Sequence, residues 1–218
     1  KWGRRDVRGR PLFVRGNNIS YAGGRGIWSH VAVDCYYIDN VVTDCNTDGL
    51  DIDGEGYYGA ALFNTMRGNT RSGVFVEEGA MHNILYSNYM TANRGRHSTG
   101  ILFYSYVAKQ AKKRDENWKP PLSYSDRGAD SWKELRNLNN VIAGNLIEEN
   151  GRGISNRYAG DCVFLHNIIR HNTTGVKFGW QTAGNYFGHN AIYDNNAKDF
   201  DQGEKKLEEE ELYQFSPR

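Results

Sequence analysis

The chain has 218 residues, enough for one sizeable hydrophobic core or two small ones. Its formal net charge is +1, and no apolar run approaches the roughly 20 residues of a bilayer-spanning helix, so composition indicates neither a nucleic-acid-binding surface nor a membrane span. With 25 glycines, 4 prolines and 13% aromatic residues, the composition favours a turn-rich β protein over a disordered chain.

The two ends of the chain carry opposite charge. Residues 1–16 are basic, and residues 201–218 are acidic, with a run of four glutamates at 208–211. Both segments are interpreted as solvated tails. The alternative is that they cover or pair the ends of an elongated body.

Between these tails, one asparagine recurs at intervals of 23, 24, 24, 57, 22 and 23 residues. The positions are Asn17, Asn40, Asn64, Asn88, Asn145, Asn167 and Asn190. Glycines that precede an apolar residue repeat at a similar spacing, and no apolar stripe of period 3.6 lies between them. This pattern predicts an all-β, single-stranded parallel β-helix over residues 17–200, with about seven coils of three short strands each.

The repeated asparagines are predicted to be structural, because an amide at a turn can bond to the amides one coil above and below. A second ladder follows five residues later, at Asn69, Asn93, Asn150, Asn172 and Asn195, with Cys45 in one coil. Cys35 and Cys162 share a column four coils apart, about 19 Å at ~4.8 Å per coil, which is too far for a disulfide. All three cysteines are therefore predicted to be buried thiols.

One coil carries a long insertion, at residues 107–137. It is charged, contains Pro120-Pro121 and carries Trp118, Tyr124 and Trp132. Long excursions from a regular scaffold are usually functional or disordered, and the aromatic residues favour function. We predict that the insertion forms a cleft wall or a lid.

The repeat brings acidic side chains together on the outward face of one sheet. In strands that begin at the repeated glycines, alternate residues point outward. The candidate catalytic residues are therefore Asp48, Asp51, Asp53, Glu77, Glu78 and, beside them, His30. Such clustering either raises carboxyl pKa values for acid–base chemistry or gathers a cation, and the sequence puts the nearest cations at the edge of the patch. The alternative is a merely polar sheet face.

Aromatic and basic residues border this acidic patch on the same face. The candidate substrate-binding residues are Trp28, Phe75, Tyr104, Arg157, Lys177, Trp180, Tyr57 and Tyr58. The aromatic side chains among them are predicted to be exposed. Exposed aromatic faces beside carboxylates are suited to stacking on the sugar rings of a long carbohydrate.

The pattern resembles the right-handed parallel β-helix carbohydrate-active enzymes, which include polygalacturonase-type glycoside hydrolases and pectate-lyase-type lyases. The tightest local match is Asn46-Thr47-Asp48-Gly49, which looks like the Asn-Thr-Asp-Gly motif of polygalacturonases, so the resemblance implies a catalytic Asp48. The chain has no Gly-His-Gly and no Asp-Pro-His-Asp, the latter a motif of alginate epimerases. The resemblance implies a right-handed helix, a polysaccharide substrate and a secreted or periplasmic location.

Three functions fit these observations. The first is a glycoside hydrolase with paired carboxylates and no cofactor. The second is a calcium-dependent polysaccharide lyase, with Asp51, Asp53 and Glu77 as metal ligands and Arg157 or Lys177 as the base. The third is a non-catalytic carbohydrate-binding or tail-fibre-like segment, with a partner chain or a further segment over the N-terminal coil.

Overall fold

The computed structural model describes residues 11–54, 56–95, 97–106, 136–179 and 182–201. In these residues the chain winds through seven coils, and each coil contributes one strand to each of three parallel sheets. The all-β parallel β-helix predicted from the repeat is confirmed. None of the helical segments in the described residues is both long enough and apolar enough to cross a membrane.

Each sheet has seven strands, one from each coil, which are stacked side by side along the solenoid axis. Sheet A consists of β1 (Leu12–Arg15), β4 (Cys35–Ile38), β7 (Ala60–Leu62), β10 (Ile84–Tyr86), β14 (Val141–Ala143), β18 (Val163–Leu165) and β21 (Tyr186–Gly188). Sheet B consists of β2 (Asn18–Ser20), β5 (Val41–Thr43), β8 (Thr65–Arg67), β11 (Tyr89–Thr91), β15 (Leu146–Glu148), β19 (Ile168–Arg170) and β22 (Ala191–Tyr193). Sheet C consists of β3 (Ile27–His30), β6 (Asp48–Asp53), β9 (Ser72–Glu77), β12 (Thr99–Tyr104), β16 (Arg152–Asn156), β20 (Thr174–Phe178) and β23 (Lys198–Asp201).

The core is a stack of apolar side chains from the inward faces of all three sheets. In sheet B, Val42 is level with Met66, and Met66 with Met90, and all three are fully buried. In sheet C, Leu50 and Val74 stack in the same way. Because each coil only contacts its neighbours, a substitution in one coil affects mainly the adjacent layers.

The corners between sheets explain the repeated asparagine. A residue in the left-handed region turns the chain, as at Asp39 and Phe63, where φ is 55° and 58°. The residue that follows is the ladder asparagine. Asn64 Oδ1 accepts from the backbone N–H of Asn40 at 3.0 Å and from its Nδ2 at 2.9 Å, while Asn64 Nδ2 donates to Asn88 Oδ1 at 2.9 Å and to Tyr37 O at 2.8 Å. The predicted structural role of these asparagines is confirmed.

The third corner carries a ladder that was not predicted from the sequence. It runs through Gly59, Asn83, Asn140, Cys162 and Asn185, with the Asn83 and Asn140 side chains bonded at 3.2 Å. Glycine and cysteine occupy two of its positions, so no asparagine period is visible there. The three cysteines are free and buried, as predicted.

Three other predictions concern segments outside the described residues. Residues 1–10 and 202–218 contain most of the two tails, and residues 107–135 contain nearly all of the insertion. The last residue of the insertion, Asn137, begins the short strand β13 (Asn137–Leu138), which pairs with β17 (Ala159–Gly160). Asn137 Oδ1 accepts from the backbone N–H groups of Gly79 and Ala80, both at 3.1 Å. The end of the insertion is therefore tied to the scaffold.

Candidate active site

The acidic residues lie where the register predicts, on the outward face of sheet C. Asp48 is level with Ser72, and Asp51 is level with Phe75. Asp53 is paired with His30 on the preceding coil. Every residue of β6 and β9 is buried, although only alternate residues face the core. The outward carboxyl groups are therefore much less solvated than those of an ordinary polar sheet face.

Asp48 is fully enclosed by hydrogen-bond donors. Arg71 Nε donates to Asp48 Oδ1 at 2.8 Å and to Oδ2 at 3.0 Å, and Arg71 Nη2 also contacts Oδ2. The Ser72 hydroxyl donates to Oδ1. Asp48 is thus held as an ion pair, and the Arg71 guanidinium lies 4.3 Å from the centre of the Phe75 ring. In this arrangement Asp48 orients Arg71.

Asp51 and Glu77 share one guanidinium. Arg25 Nε donates to Asp51 Oδ2, and Arg25 Nη2 lies 3.4 Å from Glu77 Oε1. Asp51 Oδ1 is buried and has no hydrogen-bond partner in the structure. Only 3% of the surface of Glu77 is exposed, so little water reaches either carboxyl group.

This environment raises the pKa of both carboxyl groups. For Asp51, burial has the largest effect and the negative charge of Asp48 adds to it, while Arg25 opposes both. For Glu77, burial is again the largest cause, followed by the charges of Asp51, Asp53 and Glu78. The two groups are close enough that ionisation of one disfavours ionisation of the other. One of them can therefore hold a proton well above the usual carboxyl range.

A second pair lies beside this one and is more open to solvent. His30 Nδ1 lies 3.1 Å from Asp53 Oδ2, and Trp28 Nε1 donates to the same oxygen at 3.0 Å. The His30 side chain is 52% exposed. Gly54 has a φ of 52°, and a Cβ there would lie 2.6 Å from His30 Cε1, so only glycine lets the imidazole lie against this turn.

Glu78 has a different role from the other acidic residues. Its Oε1 accepts from the backbone N–H of Tyr106 at 2.6 Å, and its Oε2 accepts from the Ser105 hydroxyl at 3.1 Å. Glu78 therefore ties down the chain just after β12. Its charge still contributes to the high pKa of Glu77.

The predicted substrate-binding aromatic residues are only partly exposed. Trp28 and Tyr58 are each 58% exposed, and Tyr57 and Tyr104 are half-buried. Phe75 was expected to be exposed, and this is wrong: it has no exposed surface, because Arg71 lies over its ring. Trp180 lies outside the described residues.

The predicted cations are placed further along the face. Arg157 follows β16 and is half-buried. Lys177 Nζ donates to Asp201 Oδ2 at 2.6 Å, so Lys177 is an ion-paired ammonium rather than an available base. This arrangement does not favour the proton-abstracting role that the lyase alternative gave to Lys177.

Arg25 and Arg71 were not among the site residues predicted from the sequence. The nearest cations were predicted to lie at the edge of the acidic patch, and this is wrong, because both guanidinium groups contact the central carboxylates. A signal was present: Arg25 directly precedes Gly26, so it stands in the column of Asp48, the residue before Gly49. An arginine side chain is long enough to reach the next coil, about 4.8 Å away.

The metal site of the lyase alternative is not formed by the described residues. Among them, no group of three or more His, Cys, Asp or Glu side chains could hold a metal ion. Asp51, Asp53 and Glu77 do not form such a group. The Arg25 guanidinium, which contacts both Asp51 and Glu77, supplies the positive charge between them instead.

Comparisons with known proteins identify the fold and leave the activity open. No family model and no curated protein matches the chain. Among solved structures, the A-module of the Azotobacter vinelandii mannuronan C-5 epimerase AlgE6 matches with a TM-score of 0.66 and 19% identity, over 85% of this chain and 44% of that one. A double mutant of the periplasmic alginate epimerase AlgG matches with a TM-score of 0.57 and 15% identity, over 89% of this chain and 48% of that one.

These matches show that the chain has the fold of a right-handed parallel β-helix. The resemblance inferred from the repeat is thus confirmed at the level of fold. The chain spans slightly less than half the length of each of these two structures. At such low identity, the similarity concerns the fold, and the chemistry has to be argued from the site.

Proposed function

We propose that the chain is a carbohydrate-active enzyme, and specifically a glycoside hydrolase that uses Glu77 as the proton donor and Asp51 as the carboxylate. The observation that carries this proposal is the buried pair of carboxyl groups with raised pKa on one guanidinium. Glycoside cleavage needs one protonated and one ionised carboxyl group. Glu77 gives its proton to the glycosidic oxygen as the C–O bond breaks. Asp51 either accepts the proton of the water that attacks the anomeric carbon, or attacks that carbon itself and forms an ester that is then hydrolysed by water deprotonated by Glu77.

The charge of the site supports hydrolysis. Five carboxyl groups lie on this part of the face, against the two arginines that contact them among the described residues. The transition state of glycoside hydrolysis resembles a positively charged oxocarbenium ion, which such a site stabilises. Proton abstraction beside a uronate carboxylate builds up negative charge, and both of these arginines are already engaged by carboxylates.

The exposed part of the site supports a polysaccharide as the substrate. Trp28 presents most of its ring next to the carboxyl groups, and Tyr58 is equally exposed beside the same end of the sheet. A secreted or periplasmic location goes with this proposal. It follows from the nature of the substrate and from the resemblance.

A second candidate is a lyase or an epimerase that acts on a uronate polysaccharide. The His30–Asp53 pair favours it, because a half-exposed imidazole oriented by a carboxylate can remove a proton from carbon. The two solved structures described above are epimerases by name. In this reaction Glu77 would protonate the leaving oxygen or return a proton to the sugar carbon.

The test is a product analysis on a panel of neutral and uronate polysaccharides. Hydrolysis yields new reducing ends without ultraviolet absorption, a lyase yields unsaturated products that absorb, and an epimerase changes the proton NMR spectrum of the polymer without cutting it. Glu77→Gln and Asp51→Asn should each lower turnover at least a hundredfold while the melting temperature does not fall. Absorbing products or epimerised polymer from the wild type would overturn the hydrolase assignment. Full activity in both variants would overturn the site.

A further inference from the structure

Arg25 reaches from the first described coil to the next two. It lies just before β3, yet it contacts Asp51, 26 positions away along the chain, and Glu77, 52 positions away. Its guanidinium also lies 4.9 Å from the centre of the Trp28 ring. One side chain therefore links an exposed aromatic residue to both buried carboxyl groups. Neither the motif match nor the clustering of acidic residues assigns it a role.

The two carboxyl groups do not share Arg25 equally. Its contact with Asp51 is a close hydrogen bond. A second cation is also near, because Arg71 Nη2 lies 4.0 Å from the same Asp51 oxygen. The contact of Arg25 with Glu77 is a long one, at 3.4 Å. Positive charge is thus concentrated on Asp51, whereas Glu77 faces mainly negative neighbours.

We propose that Arg25 is a positioning residue that keeps Asp51 ionised and thereby leaves the proton of the pair on Glu77. This inference rests on the hydrolase proposed above, in which the two carboxyl groups have different tasks. Without Arg25, the two buried acids would compete for the proton. A smaller fraction of the molecules would then hold the productive combination of one acid and one base.

The electrostatic environment agrees with this division. Arg25 is among the groups that lower the pKa of Asp51 against the effect of burial, while the principal causes that act on Glu77 after burial are the negative charges of Asp51, Asp53 and Glu78. The other charged or titratable groups that face the pair are Asp48, Arg71, His30, Tyr104 and Tyr106. None of these can replace Arg25, because Arg71 is committed to Asp48 through three contacts.

The contacts with two carboxyl groups require the planar guanidinium group of an arginine, which has several N–H donors. Nε and Nη2 lie on one edge of the planar guanidinium, so each can address a carboxyl group of a different coil. A lysine at this position keeps the positive charge but presents a single point charge. A glutamine keeps neither the charge nor the reach.

The test compares Arg25→Lys and Arg25→Gln with the wild type on the substrate found by the product analysis. For Arg25→Gln we expect kcat to fall at least tenfold, and the acidic limb of the kcat–pH profile to move to higher pH by about one to three pH units, the range for loss of a neighbouring opposite charge. Arg25→Lys should recover part of both effects. The matched control is Arg94→Gln, which removes an exposed arginine paired with Asp44 at 3.0 Å, and its profile should be unchanged.

A measurement that is independent of activity completes the test. In carbon-13 NMR titrations of the side-chain carboxyl groups, Arg25→Gln should raise the pH at which Asp51 ionises. If both Arg25 variants keep the wild-type profile and the wild-type titration, while Glu77→Gln remains inactive, the positioning role is wrong and the hydrolase stands. If Glu77→Gln and Asp51→Asn keep full activity, the hydrolase itself is wrong, and the titration alone then decides whether Arg25 keeps Asp51 ionised. A fall in kcat with no movement of the profile or of the titration would mean a merely structural role.

Discussion

The asparagine ladder and the acidic patch use the same repeat with opposite results. In the ladder, each buried amide both donates and accepts, so identical side chains on adjacent coils satisfy one another, as Asn64 and Asn88 do at 2.9 Å. In the patch, Asp48 is level with Ser72 and Asp51 with Phe75, and the carboxylates of adjacent coils repel one another, so that Arg25 and Arg71 hold them together. The repeat therefore stabilises the scaffold where identical amides stack, and it gathers carboxyl groups with raised pKa values where acidic residues of adjacent coils meet.

The difference lies in the hydrogen bonds that each group can make with the groups of the adjacent coil. A neutral amide loses little on burial if its four hydrogen bonds are made, whereas a buried carboxylate has to find positive charge or accept a proton. The raised pKa values of Asp51 and Glu77 are the result. The sites of greatest stability and of greatest reactivity therefore occupy different positions in each repeat.

The largest expected effect is on the ladder. Asn64→Ala removes four hydrogen bonds and leaves the buried backbone N–H of Asn40 without its acceptor, while Asn88 Oδ1 keeps the bond from the backbone N–H of residue 64, so the free energy of unfolding should fall by about 3–5 kcal/mol. Urea denaturation followed by circular dichroism measures this. Asn196→Ala, at an exposed position outside the ladders, is the control and should change stability by less than about 0.5 kcal/mol. A loss of the same small size for Asn64→Ala would mean that the ladder does not stabilise the scaffold.

In the acidic patch, substitution of Glu77 should raise the free energy of unfolding rather than lower it. The pKa of Glu77 is raised in the folded state, so its contribution to stability is complete below the pKa of the unfolded carboxyl group and is lost as the pH rises through the folded value. Glu77→Gln does not ionise, and it should therefore become more stable than the wild type as the pH rises, by at least about 1 kcal/mol at the alkaline end. Thermal unfolding between pH 5 and 9 measures the difference.

Glu148→Gln provides a matched control with the reverse behaviour. Burial would raise the pKa of Glu148, but hydrogen bonds from Tyr89 and Arg170 lower it overall. A lowered pKa contributes stability above the pKa of the unfolded carboxyl group, and this is lost as the pH falls through the folded value. Glu148→Gln should therefore be less stable than the wild type at neutral pH. The same sign for both variants would contradict the electrostatic reading of the patch.

The smallest effect concerns the exposed aromatic residue. Trp28→Ala removes a stacking surface for sugar rings next to the carboxyl groups, and KM should rise by about tenfold, which corresponds to about 1.4 kcal/mol. Trp28→Phe keeps an aromatic ring but not the hydrogen bond to Asp53, and should recover most of the affinity. Tyr186→Ala, an exposed aromatic residue on sheet A, is the control and should leave KM unchanged. Equal effects at the two positions would mean that substrate does not lie on sheet C.

The repeat allowed prediction of the coils, the inward and outward positions and two of the three ladders. The third ladder was missed because Gly59 and Cys162 interrupt it, so its positions share a conformation but not a residue type. The repeat also placed Asp48, Asp51, Asp53 and Glu77 on adjacent strands correctly. Register is readable from sequence because a strand alternates with period two and a coil repeats with a nearly constant length.

The solenoid and the residues that share a face can be predicted from the amino-acid sequence, because both depend only on spacing along the chain. Which of those residues are exposed, and which are ionised, depends on how the coils stack. Phe75 and Asp51 point outward as predicted, yet both are buried, because Arg71 of the same coil lies over Phe75 and Arg25 of the preceding coil contacts Asp51. The direction and length of a flexible side chain follow from packing and electrostatics, and these appear only when the coils are stacked.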